Sequence, residues 1–228
     1  MVSYLAKNKH YRLAEKYWTK LLGDYITLAR VPNDFLKEDN GKFNMIQKSI
    51  KKSMYSEILQ YCDDNELSLE SVLDTIYGIV LQRFTYEDDV VFGKNNIMTP
   101  VRVKTKNPKM KFIDLCKIIM KQTEESKEYD YYMMSQSNYK NALNDKLINT
   151  LFIVNILGEP MVKSEQAKKL DMYLKVSVSN GIRLKLMYKS SFYDKRTARS
   201  IVYLYRYILK QVISNKDIKL DEIQNMKE

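Results

Sequence analysis

The stretch Leu67–Gly93, LSLESVLDTIYGIVLQRFTYEDDVVFG, decides the fold. It reads as a capped helix start, a buried helix, a polar break and a short buried strand. Ser68 or Ser71 can place a side-chain oxygen over a backbone N–H that the first helical turn leaves unpaired. Val72, Ile76, Ile79 and Val80 share one row, and Leu73 and Tyr77 widen it. A helix that apolar is covered on more than one side. Thr85-Tyr86-Glu87-Asp88-Asp89 breaks the pattern, with Asp88-Asp89 read as turn chemistry rather than a metal site. Val90-Val91-Phe92 then runs without alternation to Gly93, which suits a strand buried on both faces.

Working outward, residues 7–22 predict an amphipathic helix with Leu13, Tyr17, Trp18, Leu21 and Leu22 at helical spacing. Gly23 stands as its C-cap, and Trp18 is expected to anchor the core. Residues 24–44 hold Pro32, Asn33-Asp34 and Asp39-Asn40-Gly41 and read as loop or short strands. Residues 45–65 predict a helix, with Ile50, Met54, Ile58 and Cys62 four apart. Asn96–Val103 is strand-like, and a helix over about 110–127 carries Phe112, Leu115, Cys116 and Ile119 on one face. Residues 128–148 are rich in Tyr, Met and Asn, and their tyrosines either pack under a loop or form an exposed patch.

Leu151–Leu157 predicts a buried strand closed by Gly158. Met172, Leu174, Val176 and Val178 alternate with polar residues, as do Ile182, Leu184, Leu186 and Tyr188. Asn180-Gly181 between these runs predicts a hairpin with a two-residue type I′ turn. A last helix, about 194–213, begins at Asp194 and carries Ile201, Tyr205, Ile208 and Val212 on one stripe. With no repeat or linker, residues 1–228 are expected to form a single α/β domain, a mixed sheet with helices packed on it.

Composition narrows the function classes. The chain is 45% hydrophobic and 29% charged, as ordinary globular proteins are. No apolar run is long enough to span a bilayer, and MVSYLAKNKHYRLAEKYW lacks the apolar core of a signal peptide. A cytoplasmic protein with no membrane partner is expected. Cys62 and Cys116 sit in apolar helical patterns and read as buried thiols, so no metal site is expected. The net charge of +10 is spread along the chain, without zinc-finger spacing or an Arg-rich arm, so no nucleic-acid partner is expected. No Gly-x-Ser-x-Gly elbow or phosphate-binding loop occurs, and no His is spaced to activate either Cys.

The order of motifs resembles the C-terminal lobe of condensation domains of nonribosomal peptide synthetases, which are similar to chloramphenicol acetyltransferase. Tyr17, Trp18, Leu21 and Gly23 follow the family's "YW...L.G", and Val31-Pro32 its later "LP". Ser68, Leu69, Val72, Leu73, Tyr77 and Arg83 follow its helix, and Asp88, Asp89, Val91 and Gly93 its "DD.V.G". Pro100 and Arg102 match "P.R.", Asp130-Tyr131 echoes "H.D.PF", and Leu151, Phe152 and Val154 match "PLF.V.F". Asn180, Gly181, Tyr188 and Phe192 match the closing hairpin and helix. The family's "FVNT" is replaced by Asn95-Asn96-Ile97-Met98, and a loop between those strands is deleted after Gly93.

The resemblance implies half of a two-lobe fold, without the N-terminal lobe that bears the catalytic HHxxxDG motif. It implies no catalytic residue in this chain. His10 stands in a Lys- and Tyr-rich helix without a second His or an Asp-Gly. The expected role is binding a carrier domain or synthetase subunit, or completing a condensation domain with a separate N-terminal lobe. The alternatives are an amide-forming acyltransferase active only as a homo- or hetero-oligomer, a homodimer among them, and a degenerate structural remnant. No cofactor of its own is implied, only contact with a carrier-bound phosphopantetheine arm. Arg102, Pro100, Asp130 and Tyr131 are the candidate tunnel-lining or partner-facing residues.

Overall fold

The structure, a computed structural model, describes residues 2–26, 29–95, 98–133, 147–155, 169–179 and 181–225, and the side chains of these except residues 2–8, 131 and 133. Helix α1 (Val2–Leu22) leads to β1 (Phe43–Ile50), α2 (Lys52–Asp64) and α3 (Leu69–Thr85). The hairpin β2 (Asp89–Lys94) and β3 (Thr99–Lys104) precedes α4 (Phe112–Lys127) and the one-turn helix α5 (Asp130–Met133). Strands β4 (Thr150–Asn155), β5 (Met172–Val178) and β6 (Ile182–Lys189) are followed by α6 (Lys195–Ser214) and a 3-10 turn (Leu220–Glu222).

The six strands form one mixed sheet in the order β1-β6-β5-β4-β2-β3. Strands β2, β4 and β5 run parallel, and the other neighbours antiparallel. Helices α2, α3, α4 and α6 pack on one face. Their core takes Val90 and Phe92 of β2, Val101 and Val103 of β3, and the even-numbered residues of β5 and β6. Because side chains alternate along a strand, Asp89, Val91, Arg102 and Lys104 point to the other face. There α1 lies near β3, and a smaller apolar cluster of Met98, Ile148, Leu151, Ile153 and Leu170 covers β4.

Helix α3 is the hub. Ser68 caps it, its side chain accepting from the Ser71 N–H at 3.0 Å, which is worth about 1 kcal/mol. Every residue from Ser71 to Gln82 is buried. Gly78 lets the helix approach β3, since a Cβ there would stand 2.4 Å from Val103 Cγ2. Val90–Phe92 is the buried strand that the unbroken apolar run predicts. Helix α6 is capped by Asp194, which accepts from the Thr197 N–H at 2.7 Å, and buries Ile201, Tyr205, Ile208 and Val212. At the end of α1, the Gly23 N–H reaches Thr19 O at 2.8 Å, where a Cβ would clash with that same oxygen.

Three expectations change. Residues 45–65 do not form one helix: 43–50 is the edge strand β1, and the helix begins at Lys52. A four-residue apolar spacing fits a strand face as well as a helix stripe, because four is also two pleats. Ile46 and Ile50 are buried from the strand.

The β5–β6 turn is also longer than two residues. Val178 pairs with Ile182, which leaves 179–181 as a three-residue loop, with Asn180 itself outside the described residues. Parity requires this. Both apolar sets are even-numbered, directly paired residues share a face, and only an odd loop sets even against even.

Trp18 is buried, but in a satellite cluster with Tyr17, Leu21, Leu22, Tyr129, Tyr132 and Leu147 rather than in the main core. Most of the Tyr- and Met-rich segment, the site of Gly158 and the start of the Asn96–Val103 run lie outside the described residues. No helix among the described residues is long and apolar enough to cross a membrane.

Candidate functional site

Arg102 is the most connected residue singled out by the motifs. Its side chain is 7% exposed. Nε and Nη2 donate to the two oxygens of Asp89 at 2.8 and 2.6 Å, a two-point fork. Nη1 donates to Leu21 O at 2.7 Å and to Asp24 Oδ1 at 2.5 Å. The guanidinium also lies 5.4 Å from the Tyr25 ring centroid, and Lys104 joins both carboxylates at 2.9 and 3.2 Å. Burial alone would raise the Asp89 carboxyl, but hydrogen bonds from Arg102 and Lys104 hold it below the usual range. Hydrogen bonds from Arg102 and Lys104 likewise hold Asp24 well below it. Arg102 thus ties the last turn of α1 to the β2–β3 hairpin.

The backbone of Arg102 is held as firmly. Gln122 of α4 accepts from its N–H at 2.8 Å and donates to its carbonyl at 2.9 Å. A side-chain amide thereby stands where a further strand would pair, and closes the β3 edge. Pro100 is buried opposite Gly93 on this same edge strand, where a missing N–H is tolerated.

On the helix face of the hairpin lies a second charged group. Lys94, at the end of β2, reaches Asp74 Oδ2 at 2.6 Å and Glu70 Oε2 at 3.0 Å. Asp74 is fully buried, and burial lifts its carboxyl to about 6 against the pull of Lys94. Burial would lower Lys94, but Asp74 and Glu70 more than reverse that. Asp130 accepts from Thr99 Oγ1 at 2.6 Å, and its half-burial raises its carboxyl.

Of the four candidates, Arg102 and Pro100 are therefore adjacent on β3, and Asp130 is tied to Thr99 of the same strand. The Tyr131 side chain lies outside the described residues. Arg102 and Asp130 are both engaged within the chain. The sequence reading missed Asp24, Gln122, Asp74 and Lys94. Asp74 and Lys94 had a usable signal, since a lone acid in an apolar helix and a lone cation ending an apolar strand must be paired if buried. Gln122 and Asp24 had none.

Among the described residues, neither the histidine nor either cysteine is set up for proton transfer. His10 is exposed on α1, with its ring 6.0 Å from that of Tyr129. Burial pushes the Cys62 thiol up to about 11 and Cys116 higher still, so neither is a ready nucleophile. Asp89 is a strand residue in an ion network, and among the described residues no group of three or more His, Cys, Asp or Glu is placed to hold a metal.

The motif order and this fold agree with the comparisons to known proteins. The family model "Condensation domain" matches residues 3–96. Tyrocidine synthase 3 of Brevibacillus parabrevis is 23% identical over 255 residues, covering 95% of this chain and 4% of that protein. Bacitracin synthase 3 of Bacillus licheniformis is 22% identical over 253 residues, covering 94% of this chain and 4% of that protein. The chain thus spans only a small part of these relatives. The condensation domain from the monacolin K polyketide synthase MokA superposes with a TM-score of 0.74 at 13% identity, over 94% of this chain and 60% of that one. Over residues 3–96 the chain is similar to condensation domains, and 94% of it has the fold of somewhat more than half of one such domain.

Proposed function

We propose that these 228 residues act in nonribosomal peptide assembly as a partner-dependent condensation lobe. In this reading the lobe binds a carrier domain, or completes a condensation domain whose histidine-bearing lobe lies outside these residues. One observation supports it above the rest. The described residues share a continuous core, with α3 and α6 capped, while the sequence holds a single, exposed histidine and no HHxxxDG. A packed scaffold that lacks that motif fits a binding or completing role. An attacking amine must still lose a proton, and the one histidine of the sequence stands exposed on α1, outside any HHxxxDG motif.

The net positive charge suits a partner with an acidic surface, and contact with a carrier-bound phosphopantetheine arm would come through that partner. An acyltransferase built from two copies of this chain is the weaker reading, because Arg102, the residue it would draw on, is committed to Asp89 and Asp24.

The test is reconstitution. The chain is mixed with a separately expressed lobe carrying HHxxxDG and with aminoacyl-loaded carrier domains, and amide formation is followed by mass spectrometry of the carrier-bound product. Product that needs both lobes supports the reading. Retention of neither carrier nor lobe on the immobilised chain overturns it.

A further inference from the structure

The two edges of the sheet are treated differently. The β3 edge is closed by the Gln122 amide and by α4. The β1 edge carries no such cover among the described residues. Its hydrogen-bond parity can be read from the flanking bonds. Ser190 N–H donates to Lys42 O, so the pairs that bond β1 to β6 continue through Asn44, Ile46, Lys48 and Ile50. The Lys189 N–H bonds Asp171 O, so the odd-numbered residues of β6 face β5, as this parity requires. Phe43, Met45, Gln47 and Ser49 therefore turn their N–H and C=O groups outward along an eight-residue strand.

Natural edges of this length are blunted by Pro, by a bulge or by outward lysines. Strand β1 has no Pro, pairs in unbroken register, and holds one Lys. That Lys48 is turned onto the helix face, its Nζ 5.3 Å from the Tyr203 ring centroid. Met45 is 47% exposed.

Positive charge predominates along this edge, with Asp39 paired to Lys189 opposite Phe43 at its start. Lys48 lies against Tyr203 on the helix side, Arg199 and Arg206 act on the same phenol electrostatically, and Arg183 and Lys185 stand on the neighbouring strand on the other side. None of these five cations is in an ion pair among the described residues. A second copy paired through β1 would bring two such clusters together, which like-charge repulsion opposes.

We infer that the β1 edge is a strand-addition site for an extended, acidic segment of a partner polypeptide. The open backbone groups supply the ladder, and the flanking cations select the acidic strand. This does not depend on the carrier-binding role proposed above.

The test uses the full chain and an end-capped, fluorescent peptide of eight residues, the length of β1, alternating valine with aspartate. A peptide with lysine in place of aspartate is the control. Saturable anisotropy is expected with the acidic peptide only. Gln47→Pro removes an outward N–H without touching the β6 ladder and should weaken binding by about tenfold or more. Reversing Lys48 and Arg199 to Glu should move the preference to the lysine peptide. On the unaltered chain, bound acidic peptide should slow hydrogen exchange at Met45, Gln47 and Ser49 and leave Ile46 and Lys48 unchanged. This reading stands even if the proline variant does not fold. Absence of binding, binding without that alternating protection, or a dimer that Gln47→Pro disperses would each overturn the assignment.

Discussion

Asp89 and Arg102 form a two-point ion pair diagonally across the β2–β3 hairpin, 2.8 and 2.6 Å between bonded atoms. The two short motifs that carry them, DD.V.G and P.R., are separate in sequence and joined in space. The same guanidinium holds the α1 carbonyl of Leu21, so the pair is a joint between a helix and a sheet.

Arg102→Leu should leave Asp89 with Lys104 as its one remaining cation, and cost about 3 kcal/mol in a urea titration. It should also loosen α1, and the single tryptophan reports this directly. Trp18 is 4% exposed and its indole N–H bonds Tyr129 O. A red-shifted emission before the main unfolding transition is expected. Arg102→Lys keeps the charge but loses the fork, and should fall between the two.

Lys94→Met should destabilise the protein most at neutral pH and least in mild acid. The sign follows from Asp74. Its folded value of about 6 lies above the ordinary 3.8, so the folded state binds the extra proton. Stability is therefore gained as pH falls through the folded value toward the unfolded one. Removing Lys94 raises the folded value further and deepens that slope. Thermal unfolding at intervals from pH 7.5 to pH 4.5 checks it, and Asp74→Asn in the Lys94→Met background should flatten the profile.

Gly78→Ala should be costly although alanine favours helices. The new methyl would stand 2.4, 2.7 and 2.9 Å from three carbons of Val103. Overpacking of this kind costs about 1–3 kcal/mol. Val103→Ala removes the two Cγ contacts and leaves the Cβ one, so the double variant should be more stable than the sum of the single changes allows, measured in a double-mutant cycle.

His10→Ala should leave amide formation by a reconstituted pair of lobes within about twofold of the unaltered chain. Replacing the second histidine of the partner lobe's HHxxxDG should abolish it. A loss with His10→Ala alone, measured with α1 shown intact by tryptophan emission, would move the base into this chain.

Much of this was legible in the residues. The caps at Ser68 and Asp194, the buried run to Gly93 and the alternating β5–β6 pair each depend on local chemistry, and each stands where that chemistry puts it. Strand β1 was not legible, because Ile46, Ile50 and Met54 keep a spacing common to strand and helix, and only pairing with β6 decides between them. The odd-length turn could have been read from the even numbering of both apolar sets. Nothing in the sequence placed Asp24 beside Arg102 or Gln122 against the β3 edge, for those contacts span 78 and 20 residues and depend on where whole helices come to rest.

The way α1 is attached sets an order of events. Its contacts centre on Arg102, on Tyr17 against Gln122 of α4, on Trp18 against Tyr129 just after α4, and on a few apolar neighbours, and none of its described side chains joins the main cluster. Cooperative stability follows shared burial, so this helix and the sheet are two foldons of unequal depth. Amide exchange will run through α1 by a shallow local opening while α3 and the inner strands wait for the global one. The first helix is thus a part that can be lifted off and set back while the rest stays folded.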